Sequence, residues 1–222
     1  MNLPLTFPAH SDCRSCSRWA HPPLNPGIPS TQWGLPPSPD TPVLIVIGPT
    51  PGFWEHFYNE PFRGKPGRLL REIILLNLST LCTIYGTTLV RCGPDLNAKS
   101  ADYKACFPHC SNDLQRIFDK HPPHKIHMLL LGSEATGNFL RKATGQRNTF
   151  KDALSQNGKP RTILQVQVPI FVTIHPAAVL RNNSHIHTIE DHIELLTATI
   201  QGVAATPTDP DIQDPRSPYH LP

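Results

Sequence analysis

The sequence predicts an α/β fold: a three-layer α/β/α sandwich around a central, mainly parallel four-stranded sheet. Three observations carry that prediction. Short, almost wholly apolar runs recur along the chain, as strands buried on both faces require. Stretches with helical apolar spacing fill the intervals between them. Three of the four runs end at a glycine or a His-Pro turn, where open parallel sheets place their ligands.

The elements follow in order. Val43–Ile47 (VLIVI) is the first strand and stops at Gly48. Gly67–Leu78 (GRLLREIILLNL) carries a helical apolar stripe, and Thr83–Val90 (TIYGTTLV) is the second strand. Ser100–Lys120 reads as one polar helix opened by Ser100. Ile126–Leu131 (IHMLLL) is the third strand, ended by Gly132 and followed by a short helix from Ser133. Ile170–Ile174 (IFVTI) is the fourth, ending at His175-Pro176, and Ile186–Val203 closes as a helix. No internal repeat occurs.

Proline marks the flanks. Pro22–Pro42 holds PPLNP and LPPSPD and is expected to be an extended connector without regular structure. The Pro-rich tail, 204–222, is expected to be loosely ordered. The predicted organisation is therefore an arm over 1–41, a compact domain over 42–203 and the tail.

Composition narrows the function classes. With 222 residues the chain suits one sizeable core. A formal charge of +3 permits contact with nucleic acid without demanding it. No run of about eighteen apolar residues occurs, which argues against a membrane span. Met1–Phe7 lacks the basic and apolar pattern of a secretory signal. A cytoplasmic monomer is the expectation. In that compartment six cysteines read as thiols or metal ligands rather than disulfides. Cys13 and Cys16 form a C-x2-C pair, Cys92, Cys106 and Cys110 follow, and Cys82 sits among apolar residues.

The loop Gly48-Pro49-Thr50-Pro51-Gly52 is a rigid turn that can bring backbone close to a ligand, or an ordinary strand-to-helix turn. No G-K-[ST] follows it, so it is not a phosphate-cradling nucleotide loop, and the glycine spacing of a dinucleotide fold is absent.

Five segments share an order with one known family. Gly48–Leu70 (GPTPGFWEHFYNEPFRGKPGRLL) resembles the G-x-x-P-G…P-F-x-G-x-x-G-x-L-L motif of the iron–sulfur uracil-DNA glycosylases, the family 4-like branch of that superfamily. Thr87–Cys92 (TTLVRC) is similar to its T-N-x-x-K-C, and Lys104–Leu114 (KACFPHCSNDL) to its A-C-x-P-x-L region. Leu129–Ala135 (LLLGSEA) resembles its L-G-x-x-A, and His175–Arg181 (HPAAVLR) its H-P-S-x-L-L-R.

The resemblance implies a DNA glycosylase acting on a flipped-out base, with DNA as partner. It gives His175 the catalytic role of donating a hydrogen bond to the departing base, whose negative charge grows as the glycosidic bond breaks. It gives Phe62 the role of stacking under that base, and Gly48, Pro49, Pro51, Gly52 and Thr88 the rest of the base-binding wall. Arg63, Lys65, Arg68 and Arg181 are candidates for DNA phosphates. Cys13, Cys16, Cys92 and Cys106 become ligands of a structural 4Fe-4S cluster that pins the arm to the domain, with Cys110 as the alternative fourth ligand. On thiolate chemistry alone a zinc ion would serve equally.

Four departures from the pattern matter. Pro49 stands where that branch has Glu, and proline lacks a backbone N–H. Thr50 stands where other branches carry Asp or Asn; it can hold a water but cannot act as a base. Glu55 is therefore the second candidate on the water side. Thr88 replaces an asparagine whose amide can pair with both a carbonyl and an imide of uracil, which one hydroxyl cannot do. The aromatic insert Phe53, Trp54, Phe57 and Tyr58 replaces an acidic stretch. Together they favour a modified pyrimidine as substrate, in repair or in defence against modified phage DNA, ahead of ordinary uracil. A cluster-bearing DNA-binding protein without catalysis is the third possibility.

Overall fold

The computed structural model describes residues 6–7, 27–92, 100–145 and 147–203. Seven strands form one sheet: β1 (Thr6–Phe7), β2 (Ser30–Gly34), β3 (Val43–Gly48), β4 (Thr83–Thr88), β5 (Ile126–Leu131), β6 (Pro160–Ile163) and β7 (Val166–Thr173). Their order is β1-β2-β4-β3-β5-β7-β6. The central four, β4-β3-β5-β7, are mutually parallel, and these are the four strands the apolar runs predict.

Antiparallel strands at both edges enlarge the sheet beyond four. β2 pairs with β4 through Thr31↔Gly86 and Trp33↔Ile84, and β1 pairs with β2. Ser30–Gly34 is thus a strand inside the stretch expected to be an irregular connector; the surrounding prolines hide five residues that sheet pairing organises. At the other edge β6 and β7 form a hairpin whose two-residue turn, Leu164-Gln165, has φ of 48° and 67°. That is the hairpin geometry usually supplied by Asn-Gly, and its absence here concealed the hairpin.

Alternate side chains of the central strands feed two cores. Val43, Ile45, Ile47, Met128, Leu130, Ile170 and Val172 face one side; Leu44, Val46, Leu129, Leu131 and Phe171 face the other. The first side is covered by α3 (Ser100–Cys110), α4 (Asn112–Lys120), α5 (Gly132–Thr144) and the short α6 (Phe150–Leu154). The second is covered by α2 (Lys65–Leu78) and α7 (His185–Gln201), completing the three predicted layers. The single helix expected over 100–120 is two, divided at Ser111. Pro108 lies inside α3 and cannot donate to the carbonyl a turn earlier, which weakens the helix just before the break. A six-residue helix, α1 (Phe53–Tyr58), occupies the aromatic insert and buries no residue.

Among the described residues no helix is long and apolar enough to cross a membrane. A buried ion pair ties the segment before β2 to the sheet. Arg91 Nη1 lies 2.6 Å from Asp113 Oδ2, and Arg91 Nε donates to the Ile28 carbonyl at 2.7 Å. Ser30 Oγ is 2.8 Å from both Asp113 Oδ2 and Thr87 Oγ1.

Candidate active site

The carboxyl ends of β3, β4, β5 and β7 open onto one cavity of about 580 Å³. Gly48, Pro49, Thr50, Pro51, Gly52 and Glu55 line it from the loop after β3, and Thr88 from the end of β4. Phe62, Lys65, His175 and Arg181 complete the predicted residues found there. Arg63 and Arg68 are not among the lining residues.

Phe62 is buried and sits at a φ of 60°, a left-handed conformation rare for a bulky residue and costing about 1–3 kcal/mol. Its surroundings hold it there. A Cβ on Gly67 would lie 2.4 Å from the Phe62 Cα, so α2 approaches as closely as it does because position 67 has no side chain. The Trp33 ring meets the Phe62 ring edge-on at 5.7 Å, and the Arg71 guanidinium covers Trp33 at 4.6 Å. Strand β2, which lies between β1 and β4, thus supports Phe62 at the cavity. Phe62 also meets the bare backbone of Gly48, where a Cβ would stand 3.1 Å from the Phe62 ring and 3.5 Å from the Thr88 methyl.

Thr88 uses its hydroxyl inward, donating to the Val90 carbonyl at 2.9 Å. Its donor capacity is spent on the backbone, and its methyl carbon faces the bare backbone of Gly48, 3.5 Å from where a Cβ would stand.

His175 follows β7 and caps a single 3-10 turn, Pro176–Ala178. Its Nδ1 accepts the Ala177 backbone N–H at 3.2 Å. A backbone N–H can only donate, so Nδ1 is the unprotonated nitrogen and the neutral ring carries its proton on Nε2. Burial pushes the His175 pKa below its usual value; Glu134 draws it back up, Arg181 lowers it further, and Glu55 raises it slightly. The result is a neutral imidazole with one N–H available to a ligand.

Glu55 lines the cavity but is committed to the scaffold. One carboxylate oxygen accepts from Gly52 N at 3.1 Å and the other from Gly64 N at 2.6 Å, joining the loop after β3 to the start of α2. Glu134, in the first turn of α5, also lines the cavity and was not among the predicted residues. Among the described residues its carboxylate has no hydrogen-bond partner. The signal for it lay two residues beyond the strand-ending Gly132, inside LLLGSEA. Leu180, exposed beside Arg181, lines the same cavity and was likewise missed.

Of the basic candidates, Lys65 opens α2 and Arg181 is exposed on the loop after β7. Arg63 is turned to Glu60 at 3.5 Å and lies over the Tyr58 ring at 4.9 Å. Arg68 is exposed on α2.

Among the predicted cluster ligands, Cys92 and Cys106 are both buried in the core that α3, α4 and α5 cover, with Cys110 packed against it. Cys13 and Cys16 lie outside the described residues. Among the described residues no three His, Cys, Asp or Glu side chains converge as a metal site. Cys82 belongs to the opposite core, where burial pushes its thiol up to about 12; it is an apolar packing residue.

Comparison with known proteins agrees with this geometry. Residues 36–199 match the family model of the uracil DNA glycosylase superfamily. The chain is also 28% identical over 140 residues to a type-4 uracil-DNA glycosylase of Pyrobaculum aerophilum, covering 62% of this chain and 68% of that protein. The matched segment spans β3 to α7 and every residue lining the cavity, and on that footing the chain is a DNA glycosylase belonging to the uracil DNA glycosylase superfamily.

Proposed function

We propose that this enzyme hydrolyses the N-glycosidic bond of a flipped-out, modified pyrimidine in DNA. The observation that carries the reading is the pairing, in one cavity, of the Phe62 ring with a neutral His175 whose tautomer is fixed by Ala177. An everted base stacks on Phe62. As the bond between its nitrogen and C1′ breaks, the bonding electrons pass to the base, and Nε2–H of His175 donates to the carbonyl oxygen where the charge collects. Water adds its oxygen to C1′, and its proton balances the charge on the released base.

Three residues stand on the water side. Thr50 can hold the water, and Glu55 fixes the loop that presents it while keeping lone pairs free for a further donor. Glu134, with no such commitment, can take the water proton or offset positive charge on the sugar. Pro49 supplies neither a carboxylate nor an N–H. Gly48, Pro51 and Gly52 bring bare backbone to the base.

The apolar wall made by Thr88 supports a substrate other than plain uracil, because a buried imide or carbonyl left without a partner is costly. Lys65 and Arg181 at the cavity, with Arg63 and Arg68 beside it, suit phosphates of the DNA backbone. Defence against DNA with hypermodified pyrimidines fits this site as well as repair does.

Two buried thiols, Cys92 and Cys106, in one core suit half of a four-thiolate site, with Cys13 and Cys16 as the other half and Cys110 as the alternative to Cys106. A 4Fe-4S cluster held there supplies structure, tying the arm to the domain; zinc is the lesser alternative.

The test is mass-spectrometric detection of free bases released from oligonucleotides carrying a panel of modified pyrimidines and uracil. One modified base should be released, leaving an alkali-labile site, with uracil released more slowly. His175→Ala should lose about 100-fold or more of that rate, as loss of a single charge-stabilising donor does elsewhere. Undiminished release by that variant would remove the proposed mechanism.

A further inference from the structure

The most unusual surface of the molecule is α1. Phe53, Trp54, Phe57 and Tyr58 are 62%, 50%, 67% and 49% exposed, four large aromatics on a helix of six residues. None is needed to hold the fold, since the helix buries nothing. The rings form two parallel pairs one helical turn apart: Phe53 with Phe57 at 18° and 6.5 Å, and Trp54 with Tyr58 at 24° and 6.1 Å. Within each turn neighbouring rings stand nearly perpendicular, so faces and edges alternate across the surface. Phe53 and Trp54 line the active-site cavity, whereas Phe57 and Tyr58 carry the aromatic surface away from it.

We infer that α1 is a stacking platform for unpaired nucleotides that flank the target base, so that the enzyme works on single-stranded or locally melted DNA. The inference rests on the glycosylase reading for its direction: a strand whose target base enters the cavity must leave it across the adjoining rim. Aromatic faces accept any base, but only one whose own faces are not already stacked within a duplex. The surrounding charge suits the same ligand. Arg63 lies over the Tyr58 ring, Lys65 and Arg181 line the cavity, and Glu60, which pairs with Arg63 and Arg71, tempers the field.

The experiment is fluorescence anisotropy with a labelled all-thymidine oligonucleotide and a duplex of equal length, both free of any excisable base. The single strand should bind more tightly than the duplex at equal salt. Phe57→Ala should weaken single-strand binding about 5- to 150-fold, the range set by losing one base–aromatic stack, and change duplex binding less than about two-fold. Phe57→Trp should restore the affinity and Phe57→Leu should not, which separates stacking from generic apolar contact. Both variants replace an exposed side chain with another apolar one, so the comparison does not hinge on folding. Equal weakening of both ligands, or rescue by leucine, would overturn the platform. So would a dimer by sedimentation that Phe57→Ala dissolves, since the aromatic face would then belong to a second copy. Failure to release a base from any DNA would sink the glycosylase reading and leave this binding result standing; intact release with no single-strand preference would do the reverse.

Discussion

Gly132 controls the position of His175, the proposed donor to the departing base, from a neighbouring strand end. It sits at a φ of 77°, and a Cβ there would lie 2.9 Å from the His175 Cβ. Gly132→Ala meets both a strained backbone and a collision, so His175 must shift. We expect a loss of about 1–2 kcal/mol in stability from the left-handed backbone alone. Base release should fall well beyond what that loss explains, by about 100-fold for a displacement near 1 Å. Urea denaturation and single-turnover release on one preparation check it; wild-type release would mean that His175 does not need this spacing. At this scale the sequence was partly legible. Phe62, His175 and the glycines beside them stand in contiguous motifs at strand ends, where pattern and position coincide. Trp33 and Glu134 were missed because their contribution comes from convergence of distant segments. Glu55 stands out as a candidate on the water side because its charge is visible in the sequence. Its hydrogen bond to Gly64 N, nine residues on, is not.

At the scale of elements, the parallel strands were readable because each is buried on both faces and so almost entirely apolar. The outer strands were not: β6 is half-exposed, and the buried positions of β2 include the polar Ser30 and Thr31. β2 shows the consequence: its place is fixed less by its own apolar residues than by polar anchoring around it. Arg91 and Asp113, 3% and 1% exposed, form an ion pair that also bonds Ile28 and Ser30, with Arg116 3.7 Å from the other carboxylate oxygen. Removing Asp113 leaves the buried Arg91 guanidinium without the carboxylate that balances its charge. Asp113→Ala should therefore destabilise the protein by about 3–5 kcal/mol, read from urea midpoints, far more than an ordinary surface carboxylate would cost. Limited proteolysis should cut first near 27–30 in that variant. A change below about 1 kcal/mol would show that solvent reaches the pair. Because β2 carries Trp33, the same variant should also loosen the support beneath Phe62.

Across the whole molecule, two buried histidines and two half-buried ones act in concert on stability. His121, His127, His175 and His192 all have pKa values lowered from 6.5, and burial is the leading cause for each. His121 is lowered further by Lys120, whereas backbone carbonyls partly restore His127 and Asp191 partly restores His192. They lie in different parts of the fold: His121 bonds Tyr85, His192 bonds Thr173, and His175 accepts from Ala177. In the unfolded chain each protonates near pH 6.5, while in the folded protein each resists until the pH is lower. Between those points the unfolded state holds more protons, so stability is fully present above about pH 6.5 and declines as the pH falls. The decline begins well above the carboxylate range; the pKa of Asp152, lowered by its bonds to Thr149, puts its influence further down still. Urea midpoints measured from pH 7.5 to 5 should therefore fall steadily, and His175→Ala should fall less steeply because one of the four resisting groups is gone. Midpoints flat over that interval would mean that the four rings take up protons in place, and with them would go the neutral His175 that the proposed departure of the base requires.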